Sequence, residues 1–300
     1  MKKKTYLFAL MAMVLTLGSC SDNENGIGGE TSKYITVSTS IGNMTRVATD
    51  AKGGQTFEEG DEISVYAWTG DATIAPDASE RVVNNAINKL TNGSWVSTPQ
   101  MLWKNNRDKH YFIGVYPTAA ISDLSAGEYT FDANKQTESD LLVAVNKDGL
   151  SYNVDEQQTV PLTFTHVMAK LVVNLTYKNQ WGGIPTVEKV VVGNAAKEAT
   201  INYLTKVVTP STTAKEDFSL PEITENTKYV SVIIPQEDVK QLTIVIGGKN
   251  FVYDNGTPFK LESGKITTVN LEVGRDEIKL GDVKITNWED GSTFSGEALN

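Results

Sequence analysis

The sequence predicts an all-β fold made of sandwiches, and three observations carry that prediction. Short runs rich in Val, Ile, Tyr and Thr alternate apolar and polar residues in a period-2 pattern. The runs are separated by Gly, Asn, Asp and Pro clusters, with Asn92-Gly93, Asp148-Gly149 and Asn255-Gly256 as turn centres. No long segment has helical periodicity, which argues against strands alternating with helices around a parallel sheet.

Ahead of the predicted body, Lys2, Lys3 and Lys4 precede the apolar run Tyr6–Leu17. That run is shorter than the roughly 20 residues of a spanning helix and fits the core of a signal peptide. Leu17-Gly18-Ser19-Cys20 follows: one large aliphatic residue, two small residues and a cysteine. This is the pattern of a bacterial lipobox. Residues 1–19 are therefore expected to be a lipoprotein signal peptide, cut between Ser19 and Cys20. The Cys20 thiol would carry diacylglycerol and a further acyl chain, each buried methylene contributing about 0.8 kcal/mol to attachment. An ordinary secretory signal beside a chance cysteine is the plainer alternative. Cys20 is the only cysteine, so no intrachain disulfide can form. Residues 20–33 are polar and glycine-rich and read as a flexible tether. Asp22 and Glu24 resemble short acidic signals for display at the cell surface, although a solvated linker explains them equally well.

The body begins at Tyr34–Ile41, where Ile35, Val37, Thr39 and Ile41 share one face. In Glu62–Trp68, Ile63, Val65 and Ala67 oppose Ser64, Tyr66 and Trp68. Ala78–Leu90 is ambiguous, since its apolar residues suit a short amphipathic helix or a strand. Further strands are expected at His110–Tyr116, Tyr129–Phe131, Leu141–Val145, Val160–Phe164, Lys170–Tyr177 and Lys189–Val192. Others are expected at Tyr229–Ile234, Leu242–Ile246, Asn250–Tyr253, Ile266–Val273 and Val283–Ile285. A break near Thr165–Met168 divides the body into an N-terminal domain, 34–165, and a C-terminal domain, 166–300, each long enough for a closed two-sheet core.

The chain carries a net charge of −10, and losing the three lysines of residues 1–19 would leave −13. That balance disfavours nucleic acid and anionic lipid headgroups. Histidine occurs only at His110 and His166, too few for a conventional zinc set with Cys20 acylated. There is no Gly-x-Ser-x-Gly elbow and no phosphate-binding glycine loop. Both histidines therefore read as hydrogen-bonded structural residues. Glu58-Glu59-Gly60-Asp61 lacks the alternate spacing of a calcium loop and reads as a turn. Trp68, Trp95, Trp103, Trp181 and Trp288 could offer flat surfaces to sugars, but sandwich tryptophans mostly fill cores. No catalytic, metal or cofactor site is expected beyond the lipid on Cys20.

Several segments, in order, resemble the fimbrillin-like proteins, the subunits of type V pili. Phe57–Tyr66 (FEEGDEISVY) is similar to their Phe-x-x-Gly-Asp-x-Ile-x-Val-Tyr segment, and Thr45-Arg46-Val47 to a Thr-Arg-Ala element. Tyr111–Pro117, Asp140–Ala144 and Phe164–Leu171 (FTHVMAKL) resemble later strands, and Ile285-Thr286-Asn287-Trp288 a terminal Ile-x-x-Trp. The resemblance implies two tandem transthyretin-like Greek-key β-sandwich domains in an exported, surface-exposed outer-membrane lipoprotein. It also implies a maturation cut between Arg46 and Val47 that frees the strand 34–41. A donor strand from another pilin subunit would fill the groove, and strand exchange would drive assembly. A host or bacterial surface ligand is a further implied partner. Residues 283–300 are short and polar for a donor strand, which points to an anchor, tip or minor subunit rather than a stalk. The alternative is a glycan-binding surface lipoprotein beside a polysaccharide uptake system.

Overall fold

A computed structural model describes residues 33–42, 56–136, 138–156, 158–254 and 256–288. Its first half contains β1 (Thr36–Ile41), β2 (Glu62–Thr69), β3 (Val83–Thr91), β4 (Ser94–Thr98), β5 (His110–Tyr116), β6 (Gly127–Thr130), β7 (Leu142–Leu150) and β8 (Thr159–His166). All but β6 form one seven-stranded sheet in the order β1-β8-β7-β5-β2-β3-β4. The sheet bends until its ends meet. Ile35 N donates to Met101 O at 3.0 Å, Trp103 N donates to Lys33 O at 3.2 Å, and Trp95 Nε1 on β4 donates to Thr39 Oγ1 on β1 at 3.0 Å.

The second half contains β9 (Ala169–Tyr177), β10 (Val187–Ala196), β11 (Glu198–Asn202), β12 (Val207–Pro210), β13 (Lys215–Ser219), β14 (Glu222–Thr224) and β15 (Lys228–Ile233). It continues with β16 (Gln241–Ile246), β17 (Lys249–Asp254), β18 (Lys265–Val273) and β19 (Ile278–Asn287). A four-stranded sheet, β13-β10-β16-β17, and a five-stranded sheet, β14-β15-β9-β18-β19, bury their apolar faces in one shared core. A three-stranded sheet, β12-β11-β6, joins a strand from before residue 166 to two from after it.

Alternation explains why the first-half sheet is buried on both sides. Ile63, Val65, Ala67, Phe112, Leu142, Ala144, Leu162 and Phe164 face the inside of the bent sheet and form its own core with Ile35, Val37 and Ile41. Tyr66, Trp68, Ile113, Val115 and Val143 face the other way and join the large core of the second half. Ile121, Leu124, Phe131 and Leu141, from the stretch between β5 and β7, belong to that same core. Gln136 fastens this stretch to the second half: its Oε1 accepts from Val232 N at 2.7 Å and its Nε2 donates to Ala133 O at 2.9 Å.

Within the ambiguous Ala78–Leu90 segment, Val83–Leu90 lie in strand β3, and the residues before them form a turn and bend. Val65 pairs with Ala86 and Ala67 with Val83, so β3 carries one extra residue at that point. Asn85, at φ 57°, occupies the bulge. The bulge places Val83 and Ala86 on one face at a spacing of three, which copies helical periodicity. The strands β4 and β11–β14 escape sequence reading because they are only three to five residues long, too short for alternation to stand out, even in β11 where buried and exposed positions do alternate. Two cis bonds precede Pro99 and Pro117.

Candidate site at the first edge strand

β1 differs from its neighbours in direction. It lies parallel to β8, with Thr36 opposite Thr159 through Ile41 opposite Phe164, whereas every other pairing in the seven-stranded sheet is antiparallel. β7 pairs with β8 only at Phe164–His166, so Thr159–Thr163 have β1 as their ladder partner. Pro161 lies within this stretch and lacks an N–H, a residue that sheet interiors exclude. Its carbonyl receives Asn146 Nδ2 at 3.5 Å.

The inward face of β1, with Ile35 just before it, reads Ile35, Val37, Thr39, Ile41. The three aliphatic side chains are buried, at 1%, 6% and 7% exposure, and all three belong to the inner core of the bent sheet. Thr39 meets the indole N–H of Trp95. Outward-facing hydroxyls run along the seam: Thr36 Oγ1 lies 3.2 Å from Thr159 Oγ1, and Ser40 Oγ donates to Thr163 Oγ1 at 3.2 Å. Gly42 N, just past the strand, donates to Phe164 O at 2.8 Å. Beside the strand, Phe57 packs edge-on against Trp95, Tyr116 and Phe164, with centroids 5.1–5.3 Å apart. Gly114 makes room here, since a Cβ at that position would lie 2.6 Å from Phe164 Cζ.

The acidic turn is structural. Asp61 Oδ2 accepts from Glu58 N at 2.7 Å, Glu59 Oε1 accepts from Asn92 N at 2.8 Å, and Asp61 Oδ1 receives the Tyr116 hydroxyl at 3.3 Å. Among the described residues no group of three or more His, Cys, Asp or Glu could hold a metal ion. His110 is fully buried, edge-on to Trp103; its Nε2 accepts from Lys104 N at 3.0 Å and its Nδ1 faces Asp108 O at 3.1 Å. That arrangement fixes the Nδ1–H tautomer, and burial holds the imidazole pKa below its ordinary value. His166 Nδ1 bonds Asp140 Oδ1 at 2.8 Å, and its ring stacks on Trp288 at 3.9 Å. Lys170 Nζ sits 4.7 Å from the centre of the same indole. Two segments more than a hundred residues apart in sequence, 164–171 and 285–288, thus meet at one point. Neither segment signals that contact in sequence.

The tryptophans form no open platform. Trp68, Trp103 and Trp288 are buried, and Trp95 and Trp181 are half-buried with their indole N–H groups donating to Thr39 and Val273 O. Ser19, Cys20, Arg46 and Val47 lie outside the described residues. No helix of the described residues is long and apolar enough to cross a membrane.

The family model for fimbrillin-like proteins matches residues 45–288. The chain belongs to the fimbrillin-like family. Its relatives agree with that placement. A Bacteroides uniformis protein assigned as fimbrium subunit Fim1C is 24% identical over 97% of both chains. A crystal structure assigned to cell adhesion, also from Bacteroides uniformis, superposes with a TM-score of 0.64 at 18% identity, covering 86% of this chain and 100% of the other. A second such structure, from Bacteroides ovatus, gives 0.61 at 18% identity, covering 85% and 98%. These similarities establish the fold. The family is one of structural fimbrial subunits, so this fimbrillin-like chain is a fimbrial component of the cell surface rather than a member of an enzyme family.

Proposed function

We propose that this fimbrillin-like chain is a surface lipoprotein that serves as a structural or adhesive subunit of a type V pilus assembled by strand exchange. One observation carries the reading: β1 is a parallel edge strand, and the three aliphatic side chains of its inward face feed a single core. Losing it would leave the 159–163 ladder unpaired and the inner core open, a template for an added strand. In this reading the signal peptide is cut between Ser19 and Cys20, and Cys20 holds diacylglycerol and an acyl chain in the outer membrane. A cut between Arg46 and Val47 then separates lipid and β1 from the body. The partners are other pilin subunits, the membrane through the lipid, and a ligand on a host or bacterial surface. We read the two halves, 34–165 and 166–300, as tandem sandwiches of the transthyretin-like Greek-key type.

An anchor, tip or minor subunit fits better than a stalk subunit. β19 is committed to its own sheet through nine pairs with β18, and Trp288 after it is buried. The glycan-binding alternative loses its main support, because the tryptophans are occupied in packing and hydrogen bonding.

The test is limited proteolysis of residues 21–300 with trypsin, followed by N-terminal sequencing and native gels. A stable product beginning at Val47 that forms ladders is the expected result. Resistance at Arg46 while other sites are cut, or a trimmed product that stays monomeric, would overturn the strand-exchange reading. Conversion of Cys20 to Ser should move the protein out of the membrane fraction in cells.

A further inference from the structure

β1 records, in its own side chains, what its groove accepts. Positions 35, 37 and 41 are buried aliphatics, while position 39 is a hydroxyl held by the Trp95 indole. The intervening positions 36 and 40 are hydroxyls bonded to Thr159 and Thr163. The pattern is asymmetric: apolar, apolar, hydroxyl, apolar at alternate positions. A slip by one residue would bring Thr36, Ser38 and Ser40 into the core and turn the aliphatics to water, so register is strictly set. A slip by two would place Thr39 in an aliphatic pocket and leave the Trp95 N–H facing an aliphatic group.

The chain's own C-terminal segment does not meet this pattern. Reading 278, 280, 282 and 284 gives Ile, Leu, Asp and Lys. Reading 283, 285, 287 and 289 gives Val, Ile, Asn and Glu. Each series begins with two suitable aliphatics and ends with a charge where Ile41 is buried. No other register of 278–300 places aliphatics at the three required positions, in either direction. A charged side chain in the Ile41 pocket carries a desolvation cost that opposes what the two matching positions contribute.

We infer that the β1 groove takes an extended segment of a different protein, with aliphatic–x–aliphatic–x–Ser/Thr–x–aliphatic sequence, and rejects residues 278–300 of this chain. The inference rests on the strand-exchange reading above and adds partner choice to it. Trp95 is the specificity-determining residue, because its indole N–H donates to a side-chain oxygen on the inward face of the strand. The chain is then a receiver of a strand that its own residues 278–300 do not supply.

The test uses the full mature chain, residues 21–300, with a site for a sequence-specific protease placed within 43–55, so that the strand is nicked without relying on Arg46. Four labelled peptides compete for the nicked protein under mild denaturant. They are the chain's own 34–41 sequence, the same peptide with Thr39→Val, an unrelated sequence sharing only the proposed pattern, and residues 278–290. Incorporation is read by native mass spectrometry. The own and pattern peptides should enter. The Thr39→Val peptide should enter roughly three- to tenfold more weakly, the share of one hydrogen bond. The 278–290 peptide should enter at least about 100-fold more weakly, as a misplaced charge demands. If 278–290 enters as well as the own peptide, the inference fails while strand exchange stands. If the pattern peptide is refused, or Thr39→Val costs nothing, the proposed recognition rule is wrong. If even the chain's own peptide does not enter, strand exchange itself fails and the inference with it.

Discussion

Replacing Ile35 and Ile41 together by alanine should weaken the first half of the protein selectively. Both side chains are buried at opposite ends of β1, and both belong to the inner core and not to the large one. A buried Ile→Ala change typically costs about 2–5 kcal/mol, the lower part of that range applying to an edge strand whose surroundings can relax. The two positions are six residues apart, about 20 Å along an extended strand, so their effects should add. The expected loss is about 4–6 kcal/mol, a large share of the about 5–15 kcal/mol that stabilises a typical domain. Amide hydrogen exchange followed by mass spectrometry reads the outcome segment by segment. Protection should fall in β1, β8, β3 and β4, and hold in β9, β18 and β16, whose buried residues lie in the other core. An equal fall across all these strands would show that the two cores unfold as one unit. A fall below about 1 kcal/mol in urea unfolding would show that β1 contributes little. Either result refutes the argument that β1 feeds one core alone.

Other perturbations test the remaining contacts. Trp288→Ala should destabilise by about 3 kcal/mol and raise exchange at residues 166–170, because it removes the stack on His166 and the indole under Lys170. Gly114→Ala should cost about 1–3 kcal/mol in urea unfolding through overpacking against Phe164, 2.6 Å from the new Cβ. His110 should make stability fall as the pH drops below the ordinary histidine range of about 6.5, since the unfolded chain binds its proton more readily than the folded one. Melting temperature measured from pH 7 to 5 should show this slope, and His110→Gln should flatten it; an unchanged slope would place the titration elsewhere.

Much of the fold can be read from local pattern. The strand His110–Tyr116 has the predicted bounds, and Ile35, Val37 and Ile41 are buried on the face that alternation assigns them. The turn at Asn92-Gly93 connects β3 to β4 with both residues at positive φ, as an Asn-Gly hairpin requires. Alternation reports only which side a residue faces, however, and not what covers that side. Tyr66 and Trp68 look like the outer face of β2, yet they are buried in the core of the second half. The bulge at Asn85 gave β3 a misleading period, because one extra residue shifts the faces.

The order of strands in space belongs to a different level. Nothing local places Thr36–Ile41 parallel to a strand more than a hundred residues later, or brings Trp95 from the opposite end of the sheet to meet Thr39. Nor does it place Phe164–Leu171 against Trp288, or pair β6 with β11 across the two halves. By itself the sequence determined that the chain is made of strands, which face of Tyr34–Ile41 seeks burial, and the family resemblance that the match over 45–288 bears out. Tertiary structure alone decided that β1 is an edge strand serving one of two cores. The reason is physical: side-chain alternation is a property of neighbouring residues, whereas an edge exists only when distant strands have paired and the last strand is left without a ladder on one side.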